Sequence, residues 1–124
     1  MTWLMVALGG ALGSVGRYGI GVALVRYEAF PFGTLTANLL GSLVIGFCAG
    51  VFEGEQRQRP SALFLMVGFC GGFTTFSAFS LQTIDLMQEQ AWLKAGSNVA
   101  LSVGGCLLGT WFGFLLGQSL KKTA

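Results

Sequence analysis

Between Gly71 and Thr83 the chain reads Gly-Gly-Phe-Thr-Thr-Phe-Ser-Ala-Phe-Ser-Leu-Gln-Thr, which gathers hydroxyl and amide groups beside Phe76 and Phe79, three residues apart. All these polar groups are neutral hydrogen-bond donors. Neutral donors can replace the water around an anion without the lasting grip of a cluster of cations. An aromatic ring has a positive edge, so a phenylalanine pair presented edge-on can add to the same task. A second set, Thr34, Asn38 and Ser42, is spaced i, i+4, i+8 and shares one helix face, where the Asn38 amide either bridges helices or offers an anion its two donors. Arg17 lies well inside an apolar stretch. A guanidinium near a membrane centre costs at least about 2.5 to 3.5 kcal/mol, which points to an anion-attracting or structural role at a vestibule rather than to an indifferent lipid-facing residue.

The chemistry that is absent is as informative. There is no histidine, which removes His-based general bases and Ser-His or Cys-His nucleophile systems, so the chain reads as a non-enzyme. Cys48, Cys70 and Cys106 are odd in number, sit in apolar runs and show no C-x-x-C spacing, so they read as packing residues. Seven Lys/Arg against five Asp/Glu leave a formal charge of +2 scattered in short clusters, with no basic stripe to meet nucleic acid.

These side chains must be positioned by helices in a membrane. The chain is 124 residues long, 53% apolar and only 10% charged, where a soluble domain approaches a quarter charged. A small domain could not hide so much apolar surface, so it must face lipid or other subunits. A span needs about 20 apolar residues. Four stretches meet that, at about 2–25, 32–52, 61–87 and 91–120, and together they make one integral membrane domain over 1–124. The polar loop 53–60 and the turn 26–31 separate them, and Lys121-Lys122 supplies a cationic anchor at the end. The absence of a basic segment before the first span, together with Arg17 inside it, argues against a cleaved signal peptide. The third span carries Gly71-Gly72 followed by hydroxyl and β-branched residues, poor helix sequence that predicts a break; broken backbone at membrane depth must face protein or a water-filled cavity. Gly105, Gly109, Gly113 and Gly117 recur every fourth residue, as do Ser42, Gly46 and Gly50, and Gly9 and Gly13, which marks faces of close helix contact.

With four spans, Arg57, Arg59, Lys121 and Lys122 share one side and Arg26 and Lys94 the other, a difference of 4 − 2 = 2. So weak a bias, slightly favouring cytoplasmic termini, allows insertion both ways, and two oppositely oriented copies could form an inverted dimer. Four helices alone leave little room for a wet path, so an oligomer is expected.

The strings Gly33-Thr34-Leu35-Thr36-Ala37-Asn38, Gly71-Gly72-Phe73-Thr74-Thr75-Phe76-Ser77-Ala78-Phe79-Ser80 and Gly13-x-x-x-Arg17 resemble those of the Fluc (CrcB) family of small fluoride channels, and the resemblance covers essentially the whole chain. It implies an all-α membrane protein of the bacterial inner membrane, with four transmembrane helices per subunit and a break in the third. It implies an antiparallel, dual-topology homodimer, two fluoride pores and passive export that confers fluoride resistance. It also implies a structural Na⁺ at the dimer centre, held by the backbone carbonyls of Gly71 and Thr74 from both subunits. By the same resemblance Phe76 and Phe79 are the pore phenylalanines and Asn38 the pore asparagine; Ser80, Thr83 and Ser102 carry pore hydroxyls and Arg17 is the vestibule arginine. The chain departs from the family pattern at Gln82, where many members have glutamate, at Asn98, where tyrosine or histidine is common, and at Cys106, where a serine often lies.

Two other functions compete. A small multidrug-type exporter needs a membrane-embedded carboxylate for proton exchange, and the spans up to Thr83 contain none; Asp85 lies near a helix end. An accessory membrane subunit would use the glycine stripes as glue, but packing alone does not call for a hydroxyl-rich break flanked by two phenylalanines.

Overall fold

The computed structural model describes residues 1–27 and 29–124, and among these the chain is helical with no strand. Helix α1 covers Thr2–Ala23, α2 Phe32–Val51, α4 Phe76–Gln88 and α5 Trp92–Thr123, while α3 occupies 60–73. Of the loop 26–31, Glu28 lies outside the described residues. Three helical stretches among the described residues are long and apolar enough to cross a membrane: Phe32–Val51, Pro60–Gln88 and Trp92–Thr123. Helix α1 has 22 residues, about 33 Å of helix, but six glycines and Arg17 dilute its apolar character.

The boundaries differ from the sequence reading at three points. Helix α1 stops at Ala23, and Val25–Tyr27 follow as a tight 3₁₀ turn. Helix α5 continues to Thr123, beyond the two lysines. Leu63–Cys70 are wound as a π-helix, which nothing in the amino-acid pattern marks. Pro60 opens α3 at the position where its missing N–H costs nothing.

Glycine sets how closely the helices approach. A Cβ added at Gly9 would meet the Phe69 amide nitrogen at 2.8 Å, and one at Gly13 the Phe73 nitrogen at 2.8 Å, so α1 lies backbone to backbone on α3. The same holds between α2 and α5, where a Cβ at Gly50 would meet the Gln118 nitrogen at 2.9 Å and one at Gly113 the Phe47 nitrogen at 2.9 Å. Without a hydrophobic drive between helices in lipid, such contacts supply the packing. Outward, α5 exposes Leu107, Leu108, Trp111 and Phe112, the surface a membrane helix gives to lipid.

Candidate anion site at the helix break

Thr74 and Thr75 leave the helix, with φ/ψ of −90°/156° and −150°/119°. Two low-propensity glycines precede two β-branched residues whose hydroxyls can serve the backbone in place of helix bonds. At the upstream end the Thr74 amide and hydroxyl both donate to the Cys70 carbonyl, at 3.0 and 2.8 Å. Downstream, Thr75 Oγ1 accepts the Ala78 N–H at 3.1 Å and caps α4. The extended residue itself pairs with α2: Asn38 Oδ1 accepts the Thr75 N–H at 2.7 Å, and Asn38 Nδ2 donates to the Thr75 carbonyl at 3.0 Å. Asn38 is buried and behaves as a short length of strand, leaving one of its two N–H donors over. Gly41 makes room for the break, because a Cβ there would run into Thr74 Cγ2.

The break leaves backbone carbonyls without their helix partners. In an unbroken helix the Thr75 N–H would close on the Gly71 carbonyl and the Ala78 N–H on that of Thr74, whereas here they bond Asn38 and the Thr75 hydroxyl. Gly71 and Thr74, the residues expected to carry Na⁺, are among those whose carbonyls lose their helix partners, as is Gly72, and carbonyl oxygen suits a hard cation. Among the described residues no three His, Cys, Asp or Glu side chains come together.

A groove of about 380 Å³ runs past the break, with Asn38, Ser42, Thr74, Thr75 and Ser102 set among mostly apolar walls that include Ile45, Met66, Phe76, Phe79, Val103 and Leu107. The two rings lie 5.4 Å apart at 56°. Phe79 is 8% exposed and Phe76 76%, so the chain covers only the inner ring. Thr34 and Gln82 instead line a separate, polar cavity of about 410 Å³ with Asp85, Glu89 and Lys94. The Gln82 Oε1 is buried there without a hydrogen-bond partner.

Ser80 and Thr83 do not line the groove; they donate their hydroxyl protons to the carbonyls one turn back, Phe76 at 2.9 Å and Phe79 at 2.8 Å. Thr83 Oγ1 also accepts from Asn98 Nδ2 at 3.0 Å, and Asn98 Oδ1 accepts from Ser102 Oγ at 3.4 Å. Asn98, 1% exposed, therefore links two of the expected pore hydroxyls across α4 and α5. Arg17 lines neither cavity, and its Nε donates to the Gly72 carbonyl at 3.1 Å. The sequence reading missed the structural part of Thr75 and the help of Ser14, whose hydroxyl reaches the same carbonyl at 3.5 Å. The N-cap pattern of Thr75 ahead of an apolar helical run was the available signal. Cys48, Cys70 and Cys106 are free thiols, the first two buried.

Comparison with known proteins gives one family. The family described as "CrcB-like protein, Camphor Resistance (CrcB)" matches residues 4–114. The chain is 46% identical to a protein of Opitutus terrae over 97% of this chain and 95% of the relative, and 49% identical to one of Rhodospirillum rubrum over 91% and 92%. A relative from Methylocella silvestris is 41% identical over 98% and 97%. All three carry the name "Fluoride-specific ion channel FluC".

Proposed function

The chain belongs to the CrcB-like family, and from that premise we propose that it is a fluoride-specific ion channel that passively exports fluoride from the bacterial cytoplasm. It is a multi-pass integral membrane protein and a conduit, not an enzyme. The observation that carries the reading is the break at Thr74–Thr75, tied to Asn38 and opening on a groove that holds two phenylalanines, neutral donors and, among the described residues, no cationic side chain. Fluoride is small and strongly hydrated, so it enters only where donors replace its water. Here these are the unused Asn38 N–H, the edges of Phe76 and Phe79 and, once it turns from Asn98 Oδ1, the Ser102 hydroxyl. Ser80 and Thr83 join when their hydroxyls turn from the helix carbonyls toward the ion, each giving up about 1 kcal/mol. The driving force is the membrane potential, about 2.3 kcal/mol per charge for each 100 mV.

The functional unit in this reading is an antiparallel homodimer of four-span subunits, α1 supplying the remaining span. An exposed Phe76 and an open groove leave a surface that a second copy would complete, and the weak charge bias permits both orientations. A Na⁺ at the centre would be held by the Gly71 and Thr74 carbonyls of both copies and would supply a fixed positive charge at the break. The test is fluoride efflux from liposomes carrying F76I or F79I. Suppressed flux from protein that still dimerises is expected; full flux from both variants would refute the pore assignment.

A further inference from the structure

We propose that Arg17 is a positioning residue that holds the α3–α4 break open by capping the broken end of α3, an inference that rests on the channel reading above. Gly9, Gly13 and Arg17 are four residues apart and share one stripe of α1. The two glycines bring that stripe onto the backbone of α3. Gly72 packs as closely from the other side, since a Cβ there would meet Gly10 Cα at 3.0 Å. One turn beyond Gly13 this contact delivers the guanidinium to the last turn of α3, where Nε donates to the Gly72 carbonyl at 3.1 Å.

That carbonyl is the one an unbroken helix would give to the Phe76 amide. Occupied by Arg17, and approached by Ser14 Oγ at 3.5 Å, it has no call for Phe76. Arg17 thus acts on Phe76 through the backbone, at the negative end of a helix where a cation is favoured. Asn38 performs the matching task from α2, holding Thr75 in the extended form. The break is clamped from both sides, and the charge of Arg17 faces a carbonyl, not either cavity.

Charge and donor position can be separated by substitution. Gln places Nε2 as many bonds from Cα as Arg places Nε, without charge; Lys keeps the charge and carries its nitrogen one bond too far. The full-length protein would be purified as wild type, R17Q, R17K and R17A, checked as monodisperse, and assayed for fluoride efflux at low and high ionic strength. The clamp predicts that R17K and R17A lose about tenfold or more in flux, the scale of one charge-assisted hydrogen bond. It predicts that R17Q, with a neutral donor in the right place, recovers part of what R17A loses and more than R17K does. An anion-attracting arginine predicts the reverse order, with R17K near wild type and R17Q no better than R17A, and that order would overturn the proposal.

Hydrogen–deuterium exchange of the peptide covering 71–80 tests the clamp without flux. In R17A the freed Gly72 carbonyl should take the Phe76 amide and slow its exchange several-fold, while R17Q keeps the wild-type rate; wild-type exchange in R17A would overturn the clamp. Failure of the wild-type protein to release fluoride would defeat the channel reading instead, and the exchange experiment would still decide the role of Arg17.

Discussion

Replacing Asn38 with aspartate changes one atom's chemistry at the centre of the break and leaves the shape intact. The retained oxygen still accepts the Thr75 N–H, now at 2.7 Å from Asn38 Oδ1. The second oxygen replaces the donor that meets the Thr75 carbonyl at 3.0 Å, so one hydrogen bond is lost and two acceptors face each other. That costs about 1 to 3 kcal/mol of stability. An ionised carboxylate about 4 Å from a bound anion, at an effective dielectric constant of about 20, repels it by about 4 kcal/mol. Such a penalty lowers occupancy roughly a thousandfold. Asn38→Ala loses both bonds to Thr75 but introduces no charge, and hydrogen bonds inside membrane proteins average only about 0.6 kcal/mol. The expectation is therefore that N38A melts no lower than N38D, whereas N38D conducts far less. Fluoride efflux from liposomes at neutral pH and thermal unfolding of the purified protein in detergent measure the two quantities. N38D flux equal to or above that of N38A would refute the placement of Asn38 beside the ion.

Other consequences are quick to test. Gly13→Ala forces a methyl against the Phe73 backbone nitrogen and should cost about 1 to 3 kcal/mol, while Gly104→Ala, which meets open space in the protomer, should melt like wild type and so serve as its control. The Lys121 ammonium, 2.7 Å from Glu53, holds that carboxyl below the usual carboxylate range. Stability from this exposed pair is complete above the unfolded-state pKa and fades as pH falls through the lower folded-state value, so melting curves between neutral pH and pH 3 should show less acid sensitivity in E53Q, with fluoride flux unchanged. Prolonged exchange of Na⁺ for choline should lower fluoride flux, with recovery on returning Na⁺; flux indifferent to the replacement would count against the cation at Gly71 and Thr74.

What could be read from the amino acids follows physical range. The apolar runs and the glycine spacing are local, and they located the helices and the faces on which Gly9 and Gly13, or Gly113 and Gly117, meet neighbouring backbone. Gly71-Gly72 ahead of Thr74-Thr75 announced an interruption, because propensity and hydroxyl competition act within a few residues. The return of the Ser80 and Thr83 hydroxyls to carbonyls four residues back is a local habit too, and it keeps both protons out of the groove in this conformation. Pairings across the sequence were not legible. Asn38 reaches Thr75 only once the register of α2 against the break is fixed, and the room for it comes from Gly41, whose spacing from Asn38 carries no such message. Arg17 read as an anion-attracting or structural residue, and only the packing of α1 on α3 shows the carbonyl it meets. Asn98 stood out only as a departure from the family pattern, and its link between Thr83 and Ser102 depends on how α4 and α5 meet.

Selective, passive fluoride conduction should need this chain alone. Liposomes containing only the purified protein, loaded with potassium fluoride and potassium chloride and opened to flux with a potassium ionophore, can be followed with fluoride and chloride electrodes side by side. Rapid fluoride release with chloride retained is the predicted result. Retention of both ions by folded protein, or release of both at similar rates, would contradict it.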